Sequence, residues 1–327
     1  MIGTMIEKID YYLPDQVLSN TDLEKIFPEW DSSKIEKKVG IVRRHIASDN
    51  ESALDMGVKA AEIVLKDYNR ADIDFLIFCT QSPEYFLPSG ACIIQDKLNL
   101  RKNIGAFDIN LGCSGFVYML SLADSLIKNS QAEKILLIAS ETYTKQINST
   151  DKSNRTIFGD ASSAIIISRS DKNKIFNYIY GTDGSGFNKL IVKKGGFACL
   201  ENYDYEESEQ PDEFLYMNGH DIFNFTIDVI PGLVTDCLNK NNLNLDDIDM
   251  YIFHQANKYI LDFLRKKIKI PKDKFYVNLE HTGNTVSSTI PIALKQCLDK
   301  NLIKQGDKVM IVGFGVGLSW AANIIEI

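Results

Sequence analysis

Three side chains in this sequence have the types and settings of nucleophilic thiol chemistry: a cysteine, an imidazole and a carboxamide. Cys113 stands in Asp108-Ile109-Asn110-Leu111-Gly112-Cys113-Ser114-Gly115-Phe116. Residues 104–109 read as a buried strand, and 116–128 as a helix with Val117, Leu120, Leu126 and Ile127 at apolar positions. The thiol therefore falls at a strand-to-helix turn. Unpaired N–H groups and the helix dipole there predict a lowered thiol pKa and a nucleophilic thiolate. The competing reading is a small buried hydrophobe. His254, in His254-Gln255-Ala256-Asn257, follows a strand ending at Phe253. That is the carboxyl end of a strand, where α/β sheets place their ligands; the competing reading is a core histidine with satisfied partners. Asn284 lies in His281-Thr282-Gly283-Asn284-Thr285, a loop that opens a helix near Thr289. Gly-Asn is otherwise ordinary turn chemistry, and His281 is given no role. Gly313-Phe314-Gly315-Val316-Gly317-Leu318-Ser319-Trp320 adds alternating glycines, which let backbone N–H groups approach a ligand. It fails as a dinucleotide fingerprint, having neither a following helix nor an acid about twenty residues on.

The elements that must position these residues repeat. Asp72-Ile73-Asp74-Phe75-Leu76-Ile77-Phe78 returns 175 residues later as Asp247-Ile248-Asp249-Met250-Tyr251-Ile252-Phe253. Gln131-Ala132-Glu133-Lys134-Ile135-Leu136-Leu137-Ile138 returns 174 residues later as Gln305-Gly306-Asp307-Lys308-Val309-Met310-Ile311-Val312. One long spacing, kept in order, indicates a duplicated domain with halves 1–172 and 173–327. His254 then occupies the place of Cys79 in the other half. Helical patterns at 53–68, 90–98, 221–241, 259–269 and 289–300 alternate with strand patterns at 75–79, 134–140, 164–168, 250–253, 275–278 and 309–312. Pro231 is expected to interrupt or kink its helix. The class is α/β, with central strands covered on both faces.

Bulk properties set limits. The 327 residues are 45% hydrophobic and 24% charged, an ordinary globular composition with room for two domains. A formal net charge of −8 argues against nucleic acid as a partner. No apolar stretch has the length of a membrane span, and residues 1–8 show no secretory pattern, so a cytoplasmic location is expected. The six cysteines form no C-x-x-C pair and read as free thiols, with no metal site. Residues 201–213 hold seven acids and no base and read as a solvated loop; 258–274 are basic and read as a helix face or a docking patch for an acidic partner.

Taken together, Cys113-Ser114-Gly115-Phe116, Phe158-Gly159-Asp160, His254-Gln255-Ala256-Asn257, Gly283-Asn284-Thr285 and 313–320 resemble the thiolase superfamily. Within it the chain resembles the β-ketoacyl-acyl-carrier-protein synthase III family, from about Tyr11 to the C-terminus. Val39-Gly40-Ile41 and Arg44-His45-Ile46-Ala47 look like that family's N-terminal segment. The resemblance implies a thiolase-like duplicated fold, two pseudo-symmetric halves in a layered α/β/α/β/α sandwich. It implies that Cys113 takes an acyl group from a thioester. Malonyl-acyl carrier protein then loses carbon dioxide, and the carbanion attacks the acyl-cysteine. His254 and Asn284 would donate to the thioester oxygen as charge develops there. The backbone N–H groups of Cys113 and Val316 would hold the oxyanion formed at acyl transfer. No metal or redox cofactor is implied; coenzyme A enters as a thioester substrate.

The same resemblance assigns contacts with coenzyme A and the carrier. Trp30 matches the family's adenine-stacking tryptophan. Lys38 and Lys152 stand at arginine positions, and lysine lacks the stacking guanidinium; Arg155 lies close by. The acyl donor is therefore either acyl-CoA or an acyl carrier protein. Asn257, Lys258, Arg265 and Lys266 form the expected carrier-docking region, although Tyr259 replaces an arginine there. Leu87, before Pro88, matches a residue that reaches into the neighbouring subunit's acyl tunnel, and a homodimer is implied. Two other readings stay open: an acyltransferase of this fold acting on an oxygen or nitrogen acceptor without decarboxylation, and a non-catalytic carrier-protein-binding scaffold. Thiolase itself is disfavoured, because 313–320 contain no second cysteine and Cys297 lies on a helical pattern.

Overall fold

The structure, a computed structural model, describes residues 2–203, 205, 208 and 210–327. Of the acidic stretch, Asp204, Glu206, Glu207 and Glu209 lie outside the described residues. Two sheets form the frame. The first runs Gly3–Tyr12, Ala161–Ser170, Lys134–Glu141, Phe75–Cys79, Gly105–Ile109, with the last three strands parallel. The second runs Met250–Phe253, Lys308–Gly315, Ser319–Glu326, Ile179–Thr182, and its first pair is parallel. Helices Gly115–Lys128 and Thr289–Asp299 lie between the sheets. Ala53–Val64 and Gly90–Lys97 cover the outer face of the first sheet, and Gly219–Lys240 covers that of the second. The result is five layers, α/β/α/β/α.

Sequence explains why the two inner helices are inside. Gly115–Lys128 buries Phe116, Val117, Met119, Leu120, Ala123 and Ile127, a broad apolar face, with Tyr118 and Leu126 partly buried beside it. Thr289–Asp299 does the same with Ile290, Ile292, Ala293, Leu294 and Cys297. Burying side chains of the size of Leu, Ile or Phe contributes about 1.5–3 kcal/mol each. The core between the sheets draws on both: Ile77, Phe116 and Leu137 pack with Ile252, Val309 and Ile311.

The repeated segments fold alike. Asp74 Oδ2 accepts the Lys134 N–H at 3.0 Å, and Asp249 Oδ2 accepts the Lys308 N–H at 2.8 Å. Each aspartate starts a parallel strand beside the next one, Phe75 opposite Ile135 and Met250 opposite Val309. This shared capping explains why Asp-Ile-Asp recurs.

Several expected elements differ. Residues 275–278 form no strand; a single bridge joins Phe275 to Tyr251, and the Asn278 N–H goes to Gln255 Oε1 at 2.7 Å. The first long helix stops at Val64, not at residue 68, and Asp67 lies in the left-handed region at φ 60°. Gly219–Lys240 is one helix through Pro231. The glycine-rich segment 313–320 is the tip of a hairpin whose strands are Lys308–Gly315 and Ser319–Glu326. The edge strand Gly3–Tyr12 has partly exposed, mixed residues, which hid its period.

Candidate active site

Cys113 lies at the turn between Gly105–Ile109 and Gly115–Lys128, where sequence places it. The Gly115 N–H closes that turn on Gly112 O at 2.8 Å. The hairpin of the second half presses directly on the turn. A Cβ on Gly315 would sit 2.8 Å from both Cβ and Sγ of Cys113, and one on Gly313 would sit 2.8 Å from Ser114 Cα. Only glycine permits this approach. Gly315→Ala is expected to push the sulfur aside and slow its acylation by about a hundredfold, as an ångström of misplacement does. The check is the rate at which an acyl adduct appears by mass, with the melting temperature as control; an unchanged rate would show that the contact can relax.

Burial opposes the lowering of the thiol expected from its place before a helix. Cys113 is buried, and desolvation pushes it up to about 12. The N–H groups of Val316 and of Cys113 itself act in the opposite direction, favouring negative charge, and the buried Glu141 opposes them. The first N–H of the helix is already spent on the turn, on Gly112 O. Glu141 accepts from the Gln81 N–H and from the Ser82 and Ser287 hydroxyls, and burial raises it to about 8.

His254 continues strand Met250–Phe253, its N–H donating to Val312 O at 2.8 Å. The ring is buried, and desolvation lowers it to about 3, so the imidazole is neutral at physiological pH. Nδ1 lies 2.7 Å from the Thr289 hydroxyl. Asn284 is gripped by backbone: its N–H donates to Ile157 O at 2.9 Å, and its carbonyl accepts the Gly159 N–H at 3.0 Å. Its Oδ1 accepts the Val286 N–H at 2.9 Å, which leaves Nδ2 as the donor end of the side chain. Val286, β-branched, stands at φ 53° to make this bond, a strained conformation of the kind found at functional sites.

The three side chains meet. Cys113, His254 and Asn284 line one cavity of about 110 Å³, with Phe314 and Gly315 beside them. Its remaining walls are mostly apolar, Phe158, Leu190, Met217 and Ile260 among them; Thr226 lines it with its hydroxyl given to Ile222 O, and Asn257 lines it while capping helix Lys258–Ile268 through the Ile260 N–H. Such a cavity holds a thin, mostly apolar arm and brings its end to the sulfur.

The other expected residues divide. Trp30, Lys152 and Arg155 gather around Phe27: the Trp30 ring lies 6.2 Å from it, the Lys152 ammonium 5.5 Å and the Arg155 guanidinium 5.8 Å. Lys152 also pairs with Glu29. Lys38 is exposed at the end of helix Ser32–Val39. Lys258 pairs with Asp262, and Lys266 is exposed. Arg265 is half-buried and donates to Ile270 O at 3.2 Å, so one arm of its guanidinium secures its own helix end. Leu87 is 82% exposed and touches no part of the cavity within one chain.

Sequence reasoning passed over several supports. Gln255 ties two segments together through Asn278 and Phe253. Asp160 accepts from Ala47 N–H at 2.8 Å and Thr144 N–H at 3.0 Å. Arg44, fully buried, donates to Leu18 O, Asn20 Oδ1 and Thr156 O. The polar letters of Gln255, Asp160 and Arg44 beside the quoted motifs were the available signal; nothing local marked Thr289 or Tyr143.

A duplicated five-layer α/β sandwich with cysteine, histidine and asparagine at one buried cavity defines a thiolase-like condensing enzyme. Known proteins narrow the class. Residues 107–184 match the family model described as 3-oxoacyl-[acyl-carrier-protein (ACP)] synthase III, and 238–327 match the model of its C-terminal part. The chain is 38% identical over 322 residues to a β-ketoacyl-[acyl-carrier-protein] synthase III of Clostridium tetani, covering 96% of both chains. It superposes on a 2.1 Å crystal structure of a 3-oxoacyl-(acyl-carrier-protein) synthase III with a TM-score of 0.94 and 40% identity, covering 99% of this chain and 100% of that one. It is also similar to the priming β-ketosynthase of the R1128 polyketide pathway, with a TM-score of 0.89 and 26% identity, covering 99% and 96%. The chain belongs to the β-ketoacyl-acyl-carrier-protein synthase III family.

Proposed function

We propose that this protein joins an acyl group from a thioester to the two-carbon unit of malonyl-acyl carrier protein. The observation that carries the reading is the single cavity shared by Cys113, His254 and Asn284. In the first step Sγ attacks the donor carbonyl. A new S–C bond forms, the donor's C–S bond breaks, and the thiol proton leaves with the departing thiol. The oxyanion passed through on the way takes the N–H groups of Cys113 and Val316, the donors already aimed at the sulfur. In the second step malonyl thioester loses carbon dioxide. The electron pair of the broken C–C bond becomes an enolate, whose oxygen accepts from His254 and Asn284 Nδ2. The enolate carbon attacks the acyl carbon, and the Cys113 thiolate is expelled and takes a proton from solvent. A neutral imidazole suits this role, since it is called on to donate a hydrogen bond and not to abstract a proton.

Neither metal nor redox cofactor enters this chemistry; coenzyme A is a substrate as its thioester. The cluster of Trp30, Lys152 and Arg155 around Phe27 supports acyl-CoA as donor, with Arg155 supplying the guanidinium that Lys38 and Lys152 lack. Lys258 and Lys266 lie on the helix that Asn257 caps at the cavity, where an acidic carrier protein would dock. Exposed Tyr85, Phe86, Leu87 and Phe197 form the apolar surface expected of a homodimer contact. Among the described residues no helix is long and apolar enough to cross a membrane, and a cytoplasmic setting fits a carrier-dependent enzyme.

The test is two measurements on one preparation: the mass of the Cys113 peptide after acyl-CoA treatment, and carbon dioxide release from malonyl-acyl carrier protein. An adduct with no carbon dioxide would favour transfer to an oxygen or nitrogen acceptor; no adduct with any donor would favour a scaffold. Acyl length has its own check. Cys113 packs in one apolar cluster with Tyr143, Ile147, Phe158, Leu190, Leu215 and Val286. Tyr143 is the bulkiest of these and does not line the open cavity. Tyr143→Ala is expected to raise labelling by hexanoyl-CoA relative to acetyl-CoA at least tenfold, on the order of one or two methylenes' worth of pocket discrimination. An unchanged ratio would remove Tyr143 from the acyl pocket.

A further inference from the structure

Beside the reacting groups sits a polar side chain with no part yet in the chemistry. Thr289 is 3% exposed and opens helix Thr289–Asp299 between the sheets. Its hydroxyl oxygen lies 2.7 Å from His254 Nδ1 and 3.0 Å from Val286 O. A hydroxyl has one proton to give, so it serves one of these two acceptors. The Val286 carbonyl already accepts the Thr289 backbone N–H, which closes the short turn Val286–Ser288. It is therefore satisfied without the hydroxyl. Among the described residues the Thr289 hydroxyl is the one donor within reach of Nδ1, and a neutral imidazole buried this deeply needs a donor wherever its lone pair points.

We propose that the Thr289 hydroxyl donates to His254 Nδ1 and thereby keeps the ring proton on Nε2, facing the cavity. Thr289 is a positioning residue: it touches no substrate and acts only through the imidazole. The inference rests on the condensing reading, because only an Nε2–H can donate to the enolate oxygen. Two constraints fix the arrangement. The helix start sets the Thr289 backbone, and the strained Val286 loop sets the carbonyl that would otherwise attract the ring. That carbonyl also faces the imidazole. Without the hydroxyl it becomes the stronger partner of Nδ1. The proton then moves to Nδ1, and Nε2 presents a lone pair to a developing negative charge.

Thr289→Val keeps the shape and removes the hydroxyl. Decarboxylation of malonyl-acyl carrier protein is expected to fall about a hundredfold, the usual loss of one such donor. Acylation of Cys113, which uses backbone donors, is expected to fall far less. Thr289→Ser restores the donor and should restore decarboxylation. Nitrogen-15 spectra of histidine-labelled protein report the tautomer without any substrate: Nε2–H in the native chain and in Thr289→Ser, Nδ1–H in Thr289→Val. A merely structural role would lower both half-reactions together and leave the tautomer unchanged, and that result overturns the proposal. So does an Nδ1–H signal in the native protein. Failure of the native protein to decarboxylate malonyl-acyl carrier protein would instead overturn the condensing reading, since the nitrogen-15 result stands apart from activity.

Discussion

Cys113→Ala is expected to take up no acyl group from any thioester, and to lose condensation completely. No other sulfur can stand in. Cys79, Cys237 and Cys297 are buried, and Cys79 donates to Leu111 O at 3.0 Å. Cys92 and Cys199 are exposed, and neither lines the cavity. Burial raises the thiols of Cys79, Cys237 and Cys297, and none of the three lines the cavity. The substitution removes one atom from an apolar cluster, so the fold should survive with a loss of about 1 kcal/mol. The measurement is intact mass after incubation with acyl-CoA and, separately, with acyl carrier protein. A full adduct on the variant would place the nucleophile elsewhere and dissolve the assignment of the cavity.

The second large effect belongs to Asn284. Asn284→Ala is expected to cut decarboxylation by on the order of a hundredfold or more, while the Cys113 adduct still forms. The side chain has two ends with separate duties. Oδ1 holds the Val286 N–H, and in the proposed reaction Nδ2 is the donor to the enolate. Truncation removes both, so a disturbed loop would mimic a lost donor. Asn284→Asp separates them: it keeps an acceptor for Val286 and deletes the donor. Equal loss of carbon dioxide release in both variants identifies the donor as the cause. If Asn284→Asp retained native release, the enolate would be held by other groups.

Much of this was legible in the letters because the motifs fall at strand ends. Phe75–Cys79 and Met250–Phe253 are short apolar runs, each preceded by an aspartate and followed by a polar residue, so their limits could be read. The reading of Cys113 as a residue at a strand-to-helix turn needed only local pattern. Its electrostatics did not follow, because burial comes from the hairpin of the opposite half, some 200 residues away in sequence. The segment 275–278 reads as a strand by its aromatic residues, yet a side chain, Gln255, takes the N–H that a ladder would have used. Thr289 is an ordinary residue at an ordinary helix start, and only the approach of His254 from another strand gives it a role. The bond from Arg265 to Ile270 O at its helix end was likewise invisible in the sequence.

The contact of Gly313 and Gly315 with the turn at Cys113 has a consequence for assembly. The sulfur is shielded by chain from the far end of the polypeptide, so a nascent or refolding molecule should expose it until the two lobes dock. Alkylation of that one thiol by a bulky maleimide would therefore time the closure, fast in the unfolded chain and slow once the lobes have docked.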